Sequence, residues 1–338
     1  MRTTTIIAEA GVNHNGNFEL AKQLIEVAKE SDADFVKFQI WVTDEILAPN
    51  APKAQYQKDN DGGDSQYEMA KRLELSFDQY IALKKYSDTI GIKFLATPDD
   101  FTSLDFIVDT LKLETIKVGS GEITNIPFLK RIGSKNKDVI LSTGMASLGE
   151  VEKAYNTLVS SGARSVALLH CTSSYPAPFD TLNLKAIHTL KKAFKTHVGY
   201  SDHTIGSEAS VAAVALGAEI IEKHFTLDKK LPGPDHIASM EPKELKEMIN
   251  QIRNIEKALG DGVKQIQNIE VETKKVVSKG VYIKDSLKEG SIISIDNVLF
   301  MRPVGEIPAN FFEQIEGKKI SRNIDKGEPL KWKDIIFE

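Results

Sequence analysis

The sequence is poor in cysteine, has no excess of positive charge and contains no long apolar segment. Cys171 is the only cysteine among 338 residues, which excludes a disulfide within the chain and fits a reducing compartment. The 43 lysines and arginines are outnumbered by 48 aspartates and glutamates, which argues against a general nucleic-acid-binding surface. No stretch reaches the ~18 apolar residues of a membrane span, and the start of the chain lacks the apolar core of a signal peptide. We therefore predict a cytoplasmic protein that has neither a nucleic acid nor a membrane as its partner.

What the sequence contains is a regular alternation of two patterns. Short apolar runs rich in β-branched residues are each followed by turn residues and then by a stretch with apolar positions three and four residues apart. Such alternating units imply parallel strands joined by crossover helices. Eight units within about 225 residues predict an α/β fold whose strands close into a (β/α)8 TIM barrel. The predicted strands are residues 5–9, 35–39, 94–97, 115–119, 139–142, 165–170, 198–201 and 220–224.

Changes of pattern along the chain predict two domains. Residues 1–262 form the barrel, residues 263–275 form a linker or a linking helix, and residues 276–338 form a small β-rich domain. Residues 48–63, between the second and third strands, are rich in Pro, Asn, Asp and Gly, and we interpret them as a surface excursion that could act as a lid. Two similar units in the small domain are suggested by a repeat at identical offsets: Leu287, Gly290, Ile293 and Val298 recur as Ile324, Gly327, Leu330 and Ile335.

Polar residues stand at or just beyond the carboxyl end of every predicted barrel strand. The carboxyl ends of TIM-barrel strands meet on one face, where active sites are built. A single polar strand end has an ordinary explanation as a helix cap, but burying eight without partners would cost several kcal/mol, so together they predict a site. These residues are Glu9, Lys37, Gln39, Thr97, Lys117, Ser120, Ser142, Ser173, Tyr175, Ser201, His203 and His224.

Lys37 and Lys117 come from different strands and would both point into the mouth of the barrel. Two ammonium groups in a small dry space repel each other unless an anion lies between them, which predicts a phosphate or carboxylate ligand. Hydroxyl groups at other strand ends could donate to the same anion: Thr97, Ser120, Ser142 and Ser201. Two alternatives stay open, namely salt-bridged lysines on the rim and a lysine that acts as a Schiff-base nucleophile.

His203 and His224 end the seventh and eighth strands, so their imidazoles would be neighbours. Two imidazoles on a rim can hold a divalent ion and leave positions for substrate and water, although each histidine alone has a structural explanation. Glu9 closes an otherwise apolar strand, and we expect it to handle charge or a proton at the reacting centre. The plain alternative for Glu9 is an ion pair with Lys37.

These residues stand in motifs that closely resemble those of the sialic acid synthase family, over residues 5–258. The motifs are Ile7-Ala8-Glu9, Asn13-His14-Asn15-Gly16, Lys37-Phe38-Gln39, Gly119-Ser120-Gly121-Glu122, Leu141-Ser142-Thr143-Gly144-Met145, Tyr200-Ser201-Asp202-His203-Thr204, Glu222-Lys223-His224-Phe225-Thr226 and Pro232-Gly233-Pro234-Asp235-His236. Residues 276–338 resemble that family's antifreeze-like (SAF) domain. The resemblance implies a transferase that condenses phosphoenolpyruvate with an N-acetylated six-carbon aldose, giving a nine-carbon 2-keto acid and phosphate. It also implies a divalent metal, Mn²⁺ or Mg²⁺, and a domain-exchanged homodimer.

The resemblance also implies a role for each matching residue. Glu9 corresponds to the essential carboxylate, and His203 and His224 correspond to the metal ligands. The phosphoenolpyruvate-binding set is Lys37, Thr97, Lys117, Ser120, Ser142 and Ser201, and the positions that hold the amino sugar are Gln39, Glu122, Tyr175 and Asp235. Arg302 corresponds to an arginine that the small domain inserts into the partner subunit's site. The chain departs from the pattern at Ser173, where several relatives have asparagine, and in the segment after Pro303.

The resemblance leaves the sugar open. N-acetylmannosamine, which would give N-acetylneuraminate, is our first expectation. The alternative is 2,4-diacetamido-2,4,6-trideoxymannose, which would give legionaminate, and pseudaminate synthesis ranks third. Two hypotheses from other classes are a metal-independent Schiff-base aldolase and a catalytically silent sugar- or ice-binding protein.

Overall fold

Eight parallel strands form one sheet in the first of two units, Met1–Gly260 and Asp261–Glu338, into which the chain divides. The computed structural model describes residues 4–53, 57–58 and 65–337. Along the sheet the strand order is β3-β2-β1-β8-β7-β6-β5-β4, and β3 and β4 lie against each other, so the barrel is nearly closed. The predicted TIM barrel is confirmed. The strands are β1 Thr5–Gly11, β2 Phe35–Ile40, β3 Lys93–Pro98, β4 Thr115–Val118, β5 Asp138–Ser142, β6 Ser165–Cys171, β7 Val198–Asp202 and β8 Ile220–His224.

The helices of this unit begin where the sequence offers capping residues. The Asn17 side chain accepts hydrogen bonds from two backbone amides of the first turn, and Ser76 and Ser147 each form a capping box with the residue three positions later. The helices are Phe18–Glu30, Thr43–Ile46, Gln66–Leu73, Phe77–Ile90, Phe101–Asp105, Ile126–Ser134, Leu148–Ser160, Ala186–Phe194, Glu208–Ala215 and Pro242–Leu259, with a π-helical turn at Phe106–Thr110.

The two-residue period of the strands separates the barrel interior from the layer of helices. Outward-facing side chains such as Ile6 and Phe38 join the large core that the helices cover. Inward-facing side chains form a separate apolar floor inside the barrel, made of Ile7, Leu95, Ile140, Leu169 and Ile220. Each fully buried side chain of this size contributes about 1.5–3 kcal/mol relative to an exposed one. The floor therefore stabilises the barrel and supports the next inward layer, which is polar.

The predicted surface excursion between β2 and β3 is described only in part. Residues 54–56 and 59–63 of the predicted segment 48–63 lie outside the described residues, so the lid stays a prediction. The helix Gln66–Leu73 follows the segment and contributes to a small apolar cluster that is separate from the barrel core. We call it the side cluster, and its buried members are Val12, Trp41, Met69, Ala70 and Leu73.

The second unit consists of short strands and turns related by an internal symmetry. Its strands are β9 Gly280–Ile283, β10 Val298–Met301, β11 Lys319–Ile320 and β12 Ile335–Ile336, and β9–β10 and β11–β12 pair antiparallel. Leu287 and Ile324, which occupy equivalent places in the predicted repeat, exchange two backbone hydrogen bonds of 2.9 Å. The helix Val271–Val277 occupies part of the segment predicted as a linker, and a short helix spans Phe312–Ile315. Within the described residues, no helix combines the length and the apolar character needed to cross a bilayer.

Candidate active site

Lys37 lies at the centre of a charged cluster in the mouth of the barrel. Its Nζ is 3.1 Å from Glu9 Oε1 and 3.4 Å from Glu222 Oε2, and it donates a hydrogen bond of 3.0 Å to Thr97 Oγ1. Strand register explains the Glu9 contact, because Glu9 on β1 is directly opposite Lys37 on β2. Burial lowers the pKa of Lys37, but Glu222 and Glu9 outweigh it and raise the pKa above its usual value. Lys37 is therefore a buried ammonium group.

Lys117 reaches the same cluster from β4, which is separated from β2 by β3 alone. Its Nζ donates to Ser142 Oγ at 2.7 Å and lies 3.6 Å from Glu222 Oε1. Burial lowers the pKa of Lys117, and Glu222 only partly offsets this effect. The structure thus brings both predicted lysines to one buried mouth, where they share a carboxylate.

The shared carboxylate, Glu222, is the functional residue that our sequence reasoning missed. From the sequence alone we assign no role to Glu222. Glu222 lies two residues before His224 on β8, so both side chains face the interior of the barrel. Ser201 Oγ also donates to Glu222 Oε1 at 3.1 Å. Burial raises the pKa of Glu222, but the ammonium groups of Lys117 and Lys37 outweigh it and hold the pKa at about 2. Glu222 is therefore ionised, and the two-residue period was the signal that could have identified it.

Glu9 is a second buried carboxylate in the mouth, and its environment differs from that of Glu222. Gln39 Nε2 donates to Glu9 Oε1 at 3.1 Å, while Oε2 has no hydrogen-bond partner among the described residues. Burial raises the pKa of Glu9 to about 7; Lys37 opposes this shift and Glu222 adds to it. A carboxyl group that titrates near neutral pH can exchange a proton during a reaction.

Further hydroxyl groups line the mouth around Gly144. Gly144 donates its backbone N–H to Ser120 Oγ at 3.0 Å, and a Cβ at this position would lie 2.3 Å from Ser173 Oγ, so any larger residue would displace these side chains. Cys171 Sγ is 3.2 Å from Ser120 Oγ, which places the single cysteine inside the barrel as well. All the predicted hydroxyl donors, Thr97, Ser120, Ser142, Ser173 and Ser201, therefore lie on or beside this mouth.

His203 and His224 lie side by side, with ring centroids 5.6 Å apart. His203 Nδ1 donates to the carbonyl oxygen of Thr172 at 2.7 Å, so Nε2 carries the lone pair, and Nε2 lies 3.4 Å from Ser201 Oγ. His224 is buried with no hydrogen-bond partner for Nδ1 among the described residues. Burial lowers the pKa of both imidazoles, so both are neutral at pH 7, as metal ligands must be. His170 faces the other way, with Nε2 2.7 Å from the carbonyl oxygen of Leu182.

These two histidines fit a divalent ion that keeps positions open for substrate and water. Among the described residues no group of three or more His, Cys, Asp or Glu side chains forms a closed metal site. The ring of Tyr175 lies 4.2 Å from that of His203, and Asp235 Oδ2 lies 3.9 Å from His224 Nδ1. An ion at this place would face the cluster around Lys37, because Glu9 is directly opposite His224 in the strand register.

The residues predicted to hold the amino sugar divide between two places. Gln39, Tyr175 and Asp235 line a cavity of about 180 Å³ beside the mouth, together with Asp99 and the side cluster. Glu122 ends the 3₁₀ turn Ser120–Glu122 and accepts a hydrogen bond of 2.6 Å from Asn125 Nδ2. Arg302 belongs to the second unit, where it is exposed, and its insertion into a partner subunit stays a prediction.

Comparison with known proteins identifies the family. The model of the NeuB family matches residues 24–264, and the model of the SAF domain matches residues 278–336. The chain belongs to the NeuB family. The resemblance to the sialic acid synthases is thereby confirmed, as is the SAF domain at the end of the chain.

Relatives in the NeuB family are similar over almost the whole chain. The N,N'-diacetyllegionaminic acid synthase of Campylobacter jejuni is 49% identical, over 98% of this chain and 100% of that protein. The protein of the same name from Legionella pneumophila is 44% identical, over 98% of this chain and 95% of its own length. Among solved structures, the N-acetylneuraminic acid synthetase of Leptospira borgpetersenii is 37% identical with a TM-score of 0.72, over 80% of this chain and 90% of that one.

Proposed function

We propose that this chain is a transferase that condenses phosphoenolpyruvate with 2,4-diacetamido-2,4,6-trideoxymannose and water, giving N,N'-diacetyllegionaminate and phosphate. The observation that carries the proposal is the buried mouth that holds two lysines, two carboxylates and two imidazoles together. The sugar is supported by the two relatives named N,N'-diacetyllegionaminic acid synthase. N-acetylmannosamine, our first expectation from the sequence, therefore becomes the second candidate.

The lysines and hydroxyls suit phosphoenolpyruvate because this substrate carries two anionic groups. Lys37 and Lys117 are partly neutralised by Glu9 and Glu222, and the hydroxyl groups beside them add neutral donors. In a site that excludes water, such preorganised donors stabilise charge more strongly than water does. Holding both substrates in reacting geometry can contribute ~7–11 kcal/mol of barrier reduction.

The reaction follows from the order of groups in the mouth. The enol carbon of phosphoenolpyruvate bonds to the aldehyde carbon of the open-chain sugar, the aldehyde oxygen gains a proton, and positive charge develops at C2. Glu9 stabilises that charge and accepts a proton from the water that adds to C2. In the tetrahedral intermediate the bond between C2 and the bridging oxygen then breaks, and phosphate leaves with the proton of the C2 hydroxyl group as the ketone forms. The proton accepted by Glu9 balances the one gained by the aldehyde oxygen. A divalent ion held by His203 and His224, Mn²⁺ or Mg²⁺, would supply Lewis-acid polarisation of the aldehyde oxygen.

A comparison of kcat/KM between sugar substrates tests the proposal. Wild-type protein is supplied with phosphoenolpyruvate, a divalent metal and one sugar at a time, and phosphate release is measured. We expect the highest kcat/KM with the diacetamido sugar. A higher kcat/KM with N-acetylmannosamine would contradict the proposed substrate and favour the second candidate. Phosphoenolpyruvate with ¹⁸O at the bridging position should deliver its label to phosphate, and label retained in the nine-carbon product would contradict C–O cleavage.

One observation keeps a second mechanism in view. Burial lowers the pKa of Lys117, and amines of lowered pKa are the ones that form Schiff bases. In that case borohydride and pyruvate would trap a covalent adduct on Lys117, whereas our proposal predicts no adduct. Binding of the sugar without phosphate release would instead support a silent binding protein. The homodimer that delivers Arg302 and the cytoplasmic location remain part of the proposal.

A further inference from the structure

The cavity beside the mouth has one wall that the proposed chemistry does not use. Gln39, Tyr175 and Asp235 form the side of this cavity next to the reacting centre. The cavity is also lined by Asp99 and by the side cluster, whose residues are buried apart from the barrel core. A sugar whose aldehyde lies at the mouth would extend its other substituents into this space.

The described residues give the Asp99 side chain no structural role. Its neighbour Asp100 accepts hydrogen bonds from the backbone of Val42 at 2.7 Å and of Ser103 at 2.6 Å, and thereby caps the helix Phe101–Asp105. The half-buried carboxylate of Asp99 has no hydrogen-bond or ion-pair partner among the described residues. Only its backbone N–H is used, donating to the carbonyl of Ile40 at 3.1 Å. A half-buried carboxylate without a partner gains from a ligand that donates to it.

The electrostatic environment of Asp99 also favours a ligand that donates a hydrogen bond to its carboxylate. Burial raises the pKa of Asp99 to about 7, Glu122 adds to the shift, and Lys37 opposes it. The ionised carboxylate is thus poorly stabilised by the protein. An N–H group of a ligand would stabilise it.

The side cluster adds an apolar surface next to the Asp99 carboxylate in the same cavity. Trp41 donates its indole N–H to Thr43 Oγ1 at 3.1 Å, so its polar group is already satisfied within the protein. Met69 and Leu73, from the helix Gln66–Leu73, present only apolar atoms to the cavity. An acetamido group combines an N–H donor with a methyl group, and the cavity pairs an acceptor with an apolar wall.

We propose that Asp99 is a specificity-determining residue, whose carboxylate accepts the N–H of the sugar's second acetamido group while Met69 and Leu73 contact its methyl group. This inference rests on the proposed function and names the residues that would select the diacetamido sugar. N-acetylmannosamine has a hydroxyl group in place of the second acetamido group. It lacks the methyl group that anchors the donor against the apolar wall, so we expect its binding to depend less on Asp99.

The test compares two sugars across variants at one position. In Asp99→Ala, kcat/KM should fall by about 10- to 100-fold for the diacetamido sugar and by less than about 3-fold for N-acetylmannosamine, with an unchanged KM for phosphoenolpyruvate. Asp99→Asn keeps an oxygen acceptor of the same shape and should recover part of the lost preference. Glu152→Gln, at an exposed site on the helix Leu148–Ser160, is the matched control and should change neither sugar's kinetics.

The possible outcomes separate this inference from the proposed function. Equal losses with both sugars in Asp99→Ala, or an unchanged preference, would overturn the role of Asp99 while wild-type turnover of the diacetamido sugar still stood. A wild-type protein that prefers N-acetylmannosamine would overturn the proposed function and this inference with it. If Asp99→Ala melts well below wild type, the Asp99→Asn variant decides alone: a preference equal to wild type in a variant that lacks the charge would count against the inference.

Discussion

The inward-facing residues of the barrel form two layers that differ completely in character. The floor is made of Ile7, Leu95, Ile140, Leu169 and Ile220, and it is uniformly apolar. Two residues further along the same strands stand Glu9, Thr97, Ser142, Cys171 and Glu222. The same backbone therefore supplies stability at one level and chemistry at the next. A substitution in the floor should change how much protein folds, and one in the mouth should change what the folded protein does.

The largest expected effect is the loss of Lys37. In Lys37→Met, which keeps most of the side-chain volume, phosphate release should fall by about 10²–10³ or more, because the anionic substrate loses its central cation. Glu9 would also lose its nearest counter-ion, and Glu222 would keep only Lys117. Steady-state kinetics on protein shown to be folded by circular dichroism provide the measurement. Activity within about threefold of wild type would contradict the role of Lys37.

A smaller but more selective effect is expected at the histidines. His203→Ala should abolish the stimulation of turnover by Mn²⁺ or Mg²⁺ and weaken Mn²⁺ binding measured by electron paramagnetic resonance, since one of the two proposed ligands is removed. The matched control is His170→Ala, because His170 lies on the neighbouring strand but faces away from the mouth. Equal metal binding in both variants would remove the metal role of His203.

In the floor, the effect should fall on stability instead. Leu169→Ala should lower the free energy of unfolding by about 2–5 kcal/mol, because a fully buried side chain is lost and a cavity remains. Denaturant unfolding measures this, and kcat/KM per folded molecule should stay within about threefold of wild type. Ile81→Ala, at an exposed helix position, should leave stability nearly unchanged. A large loss of turnover without a loss of stability would break the separation of the two layers.

The smallest expected effect is on the pH dependence of turnover. Burial raises the pKa of Glu9 to about 7, and only the ionised form can accept a proton, so kcat should fall as the pH drops below about 7. Gln39 donates to the ionised form, so Gln39→Leu should raise the pKa and move this acid limb to higher pH. The measurement is the pH profile of kcat for wild type and Gln39→Leu at saturating sugar. A shift to lower pH would show that another group controls the limb.

The fold and much of the mouth were predictable because both depend on local periodicity. Short apolar runs rich in β-branched residues, which alternate with stretches of helical spacing, located the eight strands, and polar strand ends located Lys37, Lys117 and the two histidines. Glu222 was not predicted because only the last residue of β8 was considered, although the two-residue period of a strand places Glu222 inside the barrel as well. Asp99 was not predicted because it lies beyond the end of β3, where only the folded loops determine what faces the cavity. For the polar segment 263–275 the sequence allowed either a linker or a linking helix, and the structure has the helix Val271–Val277 there.

The most direct test of the central claim is a crystal structure of the protein with phosphoenolpyruvate and Mn²⁺. Our account predicts that the anionic groups of the substrate lie within hydrogen-bonding distance of both Lys37 Nζ and Lys117 Nζ, with the ion bound by His203 and His224. Substrate bound elsewhere, or joined covalently to either lysine, would contradict it.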